Sequence, residues 1–128
     1  MSGIHQEIQF SATPARVYAA LTQATAFSAF SGAPAEIGTK EGDAFSLFGG
    51  MVTGRNLELA PGQRVVQSWR AGNWASGVHS VARFELLAEG SGTRLVFDQS
   101  GFPAEAREHL EGGWQQMYWS KMTQWLAH

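Results

Sequence analysis

Glu105 and His109 stand one helical turn apart, a spacing at which a carboxylate can orient an imidazole for acid–base catalysis. Around them, however, Arg107, Glu108 and Glu111 complete a charged run, and acidic residues at the start of a helix are favoured by the helix macrodipole. The run therefore reads as a solvated helical start. The other histidines, His5, His79 and His128, are scattered, with no pair three or four apart and no carboxylate cluster of the kind that holds a metal. No metal or cofactor is expected. There is no cysteine, hence no thiol nucleophile or disulfide framework, and no G-x-S-x-G elbow. "GSG" at residues 90–92 is a hairpin turn rather than a phosphate cradle. No catalytic residue is assigned.

A second constellation suits binding better. Lys121 and Tyr118 lie on a strongly apolar segment, "EGGWQQMYWSKMTQWL" (residues 111–126), which holds three of the five tryptophans and two of the four methionines. Gln99 shares a strand face with Leu95 and Phe97 by strict alternation, which leaves Asp98 on the outer face. Tyr118, Lys121 and Gln99 could orient an acidic or carbonyl-bearing ligand inside an otherwise apolar pocket. Alternatively, Lys121 snorkels to a rim and Gln99 bonds to backbone. An aromatic stripe at helical spacing serves a core equally well, and a small domain needs the buried area. Methionine suits a cavity wall, because its flexible thioether adapts to irregular shapes. Trp74, in the Gly-, Asn- and Ser-containing stretch "WRAGNWASG", has no strand partner in prospect and is either folded over the core edge or offered to a protein partner.

These residues need a scaffold, and the periodicities supply one. "IHQEIQF" alternates as a first strand with Ile4, Ile8 and Phe10 on one side. Thr13 and Pro14 then give the N-cap and first position of a helix carrying Val17, Ala20, Leu21 and Ala24. A second short helical piece carries Phe27 and Phe30 and stops at "SGAP". From residue 35 to residue 100 the period is two, punctuated by "KEGD", "GG", "APGQ", "AGN" and "AEGSG", which predicts an antiparallel meander. Its strands are expected at residues 44–48, 51–59, 64–70, 77–87 and 93–100, with Val65, Gln67 and Trp69 facing inward. A long helix over residues 104–127 covers the buried face, with Leu110, Trp114, Met117, Lys121 and Trp125 on one stripe. Tyr118 and Met122 flank that stripe, and Trp119 and Leu126 sit beside it. Gly112 and Gly113 inside this helix each cost about 1 kcal/mol relative to alanine and mark a close backbone approach or a bend.

The totals are consistent with one domain, residues 1–128: 44% hydrophobic and 16% charged is the composition of a folded globule. A net charge of -2, with both signs interspersed, gives no footprint for nucleic acid and no polybasic membrane anchor. No signal peptide or membrane span is read, so the expected location is cytoplasmic. The chain is compatible with a monomer or a homodimer.

One strand, two short helices, a meander and a long last helix is the element order of the α+β helix-grip, or START-like, fold. The residues "FSLFGG" (45–50), Gly54, Trp69 and Arg70 in "QSWR", and Ser80 and Phe84 in "SVARF" go further, together with Gly92, Thr93, "GFP" (101–103), Gly113 and Trp114. In this order they resemble the family of activators of the ninety-kilodalton heat-shock protein ATPase, particularly its C-terminal domain. The sequence has no counterpart of the N-terminal domain and linker of the eukaryotic co-chaperone and resembles the single-domain bacterial members. The resemblance implies a non-enzymatic role: a small apolar ligand held between sheet and helix, or contact with a chaperone. The first predicts an enclosed pocket lined by Trp69, Phe97, Gln99, Trp114, Met117, Tyr118 and Lys121, and the second an exposed apolar patch, with Trp74 the protein contact. A polyketide-cyclase-like enzyme, a third class on the same fold, would need converging acid–base groups, for which the sequence offers Lys121, Tyr118 and Gln99.

Overall fold

The computed structural model describes residues 3–127, so His128 lies outside the described residues. Strand β1 (Ile4–Phe10) leads into helices α1 (Pro14–Thr22) and α2 (Ala24–Ser31). The sheet continues through β2 (Ala35–Ile37), β3 (Ala44–Leu47), β4 (Val52–Ala60), β5 (Arg64–Ala71), β6 (Ser80–Glu89) and β7 (Gly92–Ser100). The last segment passes through a short 3₁₀ turn (Ala104–Ala106), α3 (Arg107–Gly113), a π-helical stretch (Trp114–Trp119) and α4 (Ser120–Leu126). The seven strands form one antiparallel sheet in the order β1-β7-β6-β5-β4-β3-β2. This is the helix-grip architecture expected from the sequence.

Local signals explain most boundaries. The Thr13 hydroxyl accepts from the Arg16 N–H at 3.3 Å, and Pro14 opens α1. Gly32, left-handed at φ 72°, ends α2. The predicted inward faces hold: Val65, Gln67 and Trp69 on β5 share one buried face of the sheet with Ala82, Phe84 and Leu86 on β6 and Leu95, Phe97 and Gln99 on β7. Two expectations need correction. β2 has only three residues, too few for alternation to register, and exists because β3 pairs with it. Residues 77–79, read as the start of a strand, belong to a loop in which Gly77 is left-handed (φ 83°). The Arg70 guanidinium organises that loop by donating to the carbonyl oxygens of Trp74 (2.9 Å), Ala75 (2.9 Å) and Val78 (3.2 Å).

The larger correction concerns the last helix. It is not α-helical throughout, because the Ser120 N–H donates to the Gln115 carbonyl, an i to i+5 bond. Such a wide turn holds an extra residue and rotates everything downstream by about one residue position, roughly 100°. The buried stripe therefore runs Leu110, Trp114, Tyr118 and Trp119, Met122, Leu126, whereas Met117 is 38% exposed and Lys121 and Trp125 are half-buried. Trp125 lies under the Arg16 guanidinium at 5.6 Å. Gly112 and Gly113 make no close backbone approach: a Cβ at either would meet nothing within 4 Å.

On the sheet's outer face, His5 bonds Asp98 through Nδ1 (2.7 Å) and Glu7 through Nε2 (2.9 Å), tying β1 to β7. The Asp98 contact first, and Glu7 second, raise the His5 pKa above its ordinary 6.5. A raised histidine pKa means the folded state binds the proton more tightly. This contribution to stability is complete below about pH 6.5 and is lost as pH rises through the folded-state value. We expect the His5 ring resonances to titrate with a midpoint above 6.5, falling back toward it in Asp98→Asn. An unshifted midpoint in the wild type would contradict the bridge.

Candidate functional site: a cavity under the C-terminal helix

Where α3 and the π-helical stretch cross the sheet, packing is incomplete, and a cavity of about 640 Å³ remains. The sheet contributes Val52 at the start of β4 and Trp69 and Ala71 at the end of β5, followed by Gly72 and Asn73. The helical side contributes His109, Leu110, Gly113, Trp114, Met117 and Tyr118. The Phe48–Met51 turn closes one flank. Met51, 70% exposed, and the exposed Met117 and His109 mark the mouth, while Trp69, Trp114 and Tyr118 are buried and form the floor.

The turn between β3 and β4 is held in an unusual conformation. Phe48, Gly49 and Gly50 have φ values of 55°, 68° and 95°. Glycine takes such values freely, but a bulky residue at positive φ costs about 1–3 kcal/mol. The surroundings hold Phe48 there: its N–H donates to the Pro34 carbonyl at 2.9 Å, and its ring packs edge-on against Phe27 (5.6 Å) and Tyr118 (6.1 Å). The strain turns the Phe48 side chain toward the cavity instead of into solvent. In the sequence, Phe48 read as the last residue of a strand, with "GG" the turn after it and "FSLFGG" part of the family resemblance; β3 instead ends at Leu47 and Phe48 belongs to the turn.

Behind the floor runs a buried polar chain. Trp114 Nε1 donates to Gln99 Oε1 (2.8 Å), Gln99 Nε2 donates to Ser80 Oγ (3.0 Å), and Ser80 Oγ donates to the Trp69 carbonyl (2.8 Å). Register makes this possible, because Ser80 stands opposite Trp69 and Gln99 opposite Ala82. Trp114 also packs at 4.3 Å from both Phe97 and Tyr118 and stacks on Trp119 at 5.7 Å. Burial pushes the Tyr118 phenol pKa upward, against the hydrogen bond it accepts from Trp69, so it stays protonated.

Of the residues expected at a ligand site, the structure brings Trp69, Trp114, Met117 and Tyr118 to the cavity wall. Three others lie elsewhere. Phe97 is wholly inside the core between Phe84, Trp114 and Trp119. Gln99 faces inward as predicted, but both ends of its amide are engaged behind the wall. Lys121 is carried past the cavity by the π-helical turn and donates from Nζ to the Ser31 carbonyl (3.3 Å), at the last residue of α2, where a cation meets the helix dipole. The helical stripe read at 3.6 residues per turn could not show this. Met51, Val52 and Ala71 had no signal of their own in the sequence beyond the turn and strand they belong to, and Phe48 showed only as part of the family motif "FSLFGG".

Trp74 is half-buried, edge-on to Trp69 at 5.7 Å, and lines a second hollow of about 460 Å³ with Phe102, Pro103, Glu105 and His109. Among the described residues, no hydrogen bond or ion pair joins Glu105 to His109. Among the same residues, no three His, Asp or Glu side chains are grouped to hold a metal ion. No helix among the described residues is long and apolar enough to cross a membrane.

Comparison with known proteins places this scaffold. A Dictyostelium discoideum protein described as an activator of 90 kDa heat shock protein ATPase homolog is 32% identical over 108 residues, covering 84% of this chain and 28% of its own length. The chain spans about a third of the length of the curated relatives it matches. Two solved structures share the fold. A crystal structure described as an HSP90 activator from Plasmodium falciparum superposes with a TM-score of 0.90 at 23% identity, covering 95% of this chain and 94% of that one. The solution structure of an Aha1 dimer from Colwellia psychrerythraea gives 0.83 at 20% identity, covering 98% and 96%. The family model for activator of Hsp90 ATPase homolog 1-like proteins matches residues 11–127, and this chain belongs to that family.

Proposed function

We propose that this domain binds a small apolar molecule in the cavity between its sheet and its C-terminal helix, and that it acts without catalysis. The observation that carries this reading is the cavity itself. Its volume of about 640 Å³ falls within the range of small-molecule sites, and its wall combines aromatic rings, methionines and glycines with few polar groups. The titratable groups on the wall are a phenol held protonated by burial and an exposed imidazole at the mouth, which supports binding over acid–base chemistry.

The test uses N-phenyl-1-naphthylamine, an uncharged fluorophore that brightens in apolar surroundings. It is expected to bind saturably at one site per chain. Met117→Trp places a larger ring at the mouth and should weaken this binding by about tenfold or more, because the occupant's affinity comes mainly from buried apolar area. The variant should keep the wild-type melting temperature, since Met117 is already exposed. Absence of saturable binding by the folded wild type would overturn the reading.

Family membership supports a second reading, contact with a 90 kDa heat shock protein-type chaperone. Trp74 is the ring proposed for that contact, with one edge committed to Trp69. Under this reading, purified chaperone is captured by the wild type and by Met117→Trp, but poorly by Trp74→Ala.

A further inference from the structure

One polar hydrogen on the cavity floor has no acceptor. Buried indoles elsewhere in this protein make short bonds: Trp114 Nε1 to Gln99 Oε1 at 2.8 Å and Trp119 Nε1 to Gln6 Oε1 at 2.6 Å. Trp69 Nε1 makes a longer bond, donating to the Tyr118 hydroxyl oxygen at 3.5 Å. The Tyr118 hydroxyl hydrogen has no acceptor among the described residues. Both side chains line the cavity, and they are only 5% and 3% exposed. Buried donors normally find partners, because a buried donor left unmatched loses its bond to water and gains nothing in return.

We propose that the Tyr118 hydroxyl, held in place by Trp69, donates its hydrogen bond to one carbonyl oxygen of an uncharged apolar ligand. This rests on the cavity-binding reading above and names the chemistry of its occupant. The rigid indole N–H is spent on the Tyr118 oxygen, and it fixes the phenol so that the phenol's own hydrogen is left to donate to an acceptor in the cavity. A carbonyl oxygen accepts this bond and brings no hydrogen, whereas a hydroxyl would bring a hydrogen of its own with nothing on this part of the floor to receive it. The absence of charge follows from the wall. No lysine or arginine lines the cavity, Lys121 being turned to the Ser31 carbonyl, and His109 stands at the exposed mouth. A carboxylate on the floor would be desolvated without a countercharge. Burial keeps the phenol protonated, so the donor persists at neutral pH.

Prodan, a neutral naphthyl ketone whose fluorescence reports binding, tests the grip against its 6-propyl counterpart, in which the carbonyl becomes a methylene. The wild type is expected to prefer prodan by about tenfold. Tyr118→Phe keeps a ring in place and removes the donor, and Trp69→Phe removes the bond that orients it; the first should erase most of that preference and the second part of it, each leaving affinity for the 6-propyl compound close to wild type. The carbonyl stretch of bound prodan should lie at lower frequency in the wild type than in either variant. Should one variant fail to fold, the wild-type preference and the remaining variant decide the matter. Equal affinity of the wild type for the two compounds, or an unchanged preference in the folded variants, overturns the carbonyl grip and leaves the cavity reading standing. Failure of prodan, its counterpart and N-phenyl-1-naphthylamine to bind overturns both.

Discussion

Trp114→Ala is expected to lower the unfolding free energy by about 3–5 kcal/mol, the usual cost of deleting a buried aromatic side chain. Small domains are stable by only about 5–15 kcal/mol, so the loss is a large share of the total. The indole is 2% exposed, contacts Trp69, Phe84, Phe97, Tyr118 and Trp119, and separates the cavity from the core. Removing it would merge the hollow with the core and leave Gln99 Oε1 without its donor. Trp114→Phe separates these effects. It keeps much of the ring packing and strips the hydrogen bond, for which about 1–3 kcal/mol is expected from the unsatisfied buried oxygen. Urea denaturation at 25 °C measures both. A Trp114→Ala midpoint equal to wild type would show that the ring is not packed in this way.

Glycine-to-alanine substitutions should change stability in opposite directions at two positions. At Gly54, in the middle of β4, an added Cβ would run into the Ser68 backbone carbonyl and the Phe45 ring, because Gly54 pairs with Phe45 on one side and Trp69 on the other. The sheet must shift to admit it, and Gly54→Ala should cost about 3 kcal/mol, the upper end for overpacking. At Gly112 the same methyl meets nothing within 4 Å in a helical, exposed setting. Gly112→Ala should therefore stabilise by up to about 1 kcal/mol through helix propensity and a less disordered unfolded chain. Paired thermal melts give the signs. A destabilised Gly112→Ala would mean that the last helix needs a glycine before its π-helical turn, and a neutral Gly54→Ala would mean that the strands are not so tightly paired.

The layers of the fold were legible in the sequence because they rest on local repeats. Alternation at residues 4–10, 64–70 and 93–100 assigned the inner faces correctly, Gln99 and Asp98 included, since neighbouring side chains in a strand must point to opposite faces. Thr13 and Pro14 opened a helix for reasons contained within four residues. Even the aromatic wealth of the last helix announced where the core would be. What the helix does with those rings was not local. Trp114, Tyr118, Trp119 and Met122 are all buried only because the backbone switches to i to i+5 bonding. That choice is made by the room the sheet leaves for large rings, which no spacing along the chain records. The same turn sent Lys121 to the end of α2 and Met117 to the cavity mouth. Gly54 and Gly112 look alike in sequence, yet a neighbouring strand crowds one and solvent surrounds the other. The cavity is the furthest from the sequence, because it is a deficit of packing among β4, β5, the Phe48 turn and the last helix, and a deficit belongs to no single residue. Sequence alone determined the apolar faces of the long strands and the order of the elements it marked; tertiary structure decided which face of the last helix is buried, which faces meet, and where they leave a gap.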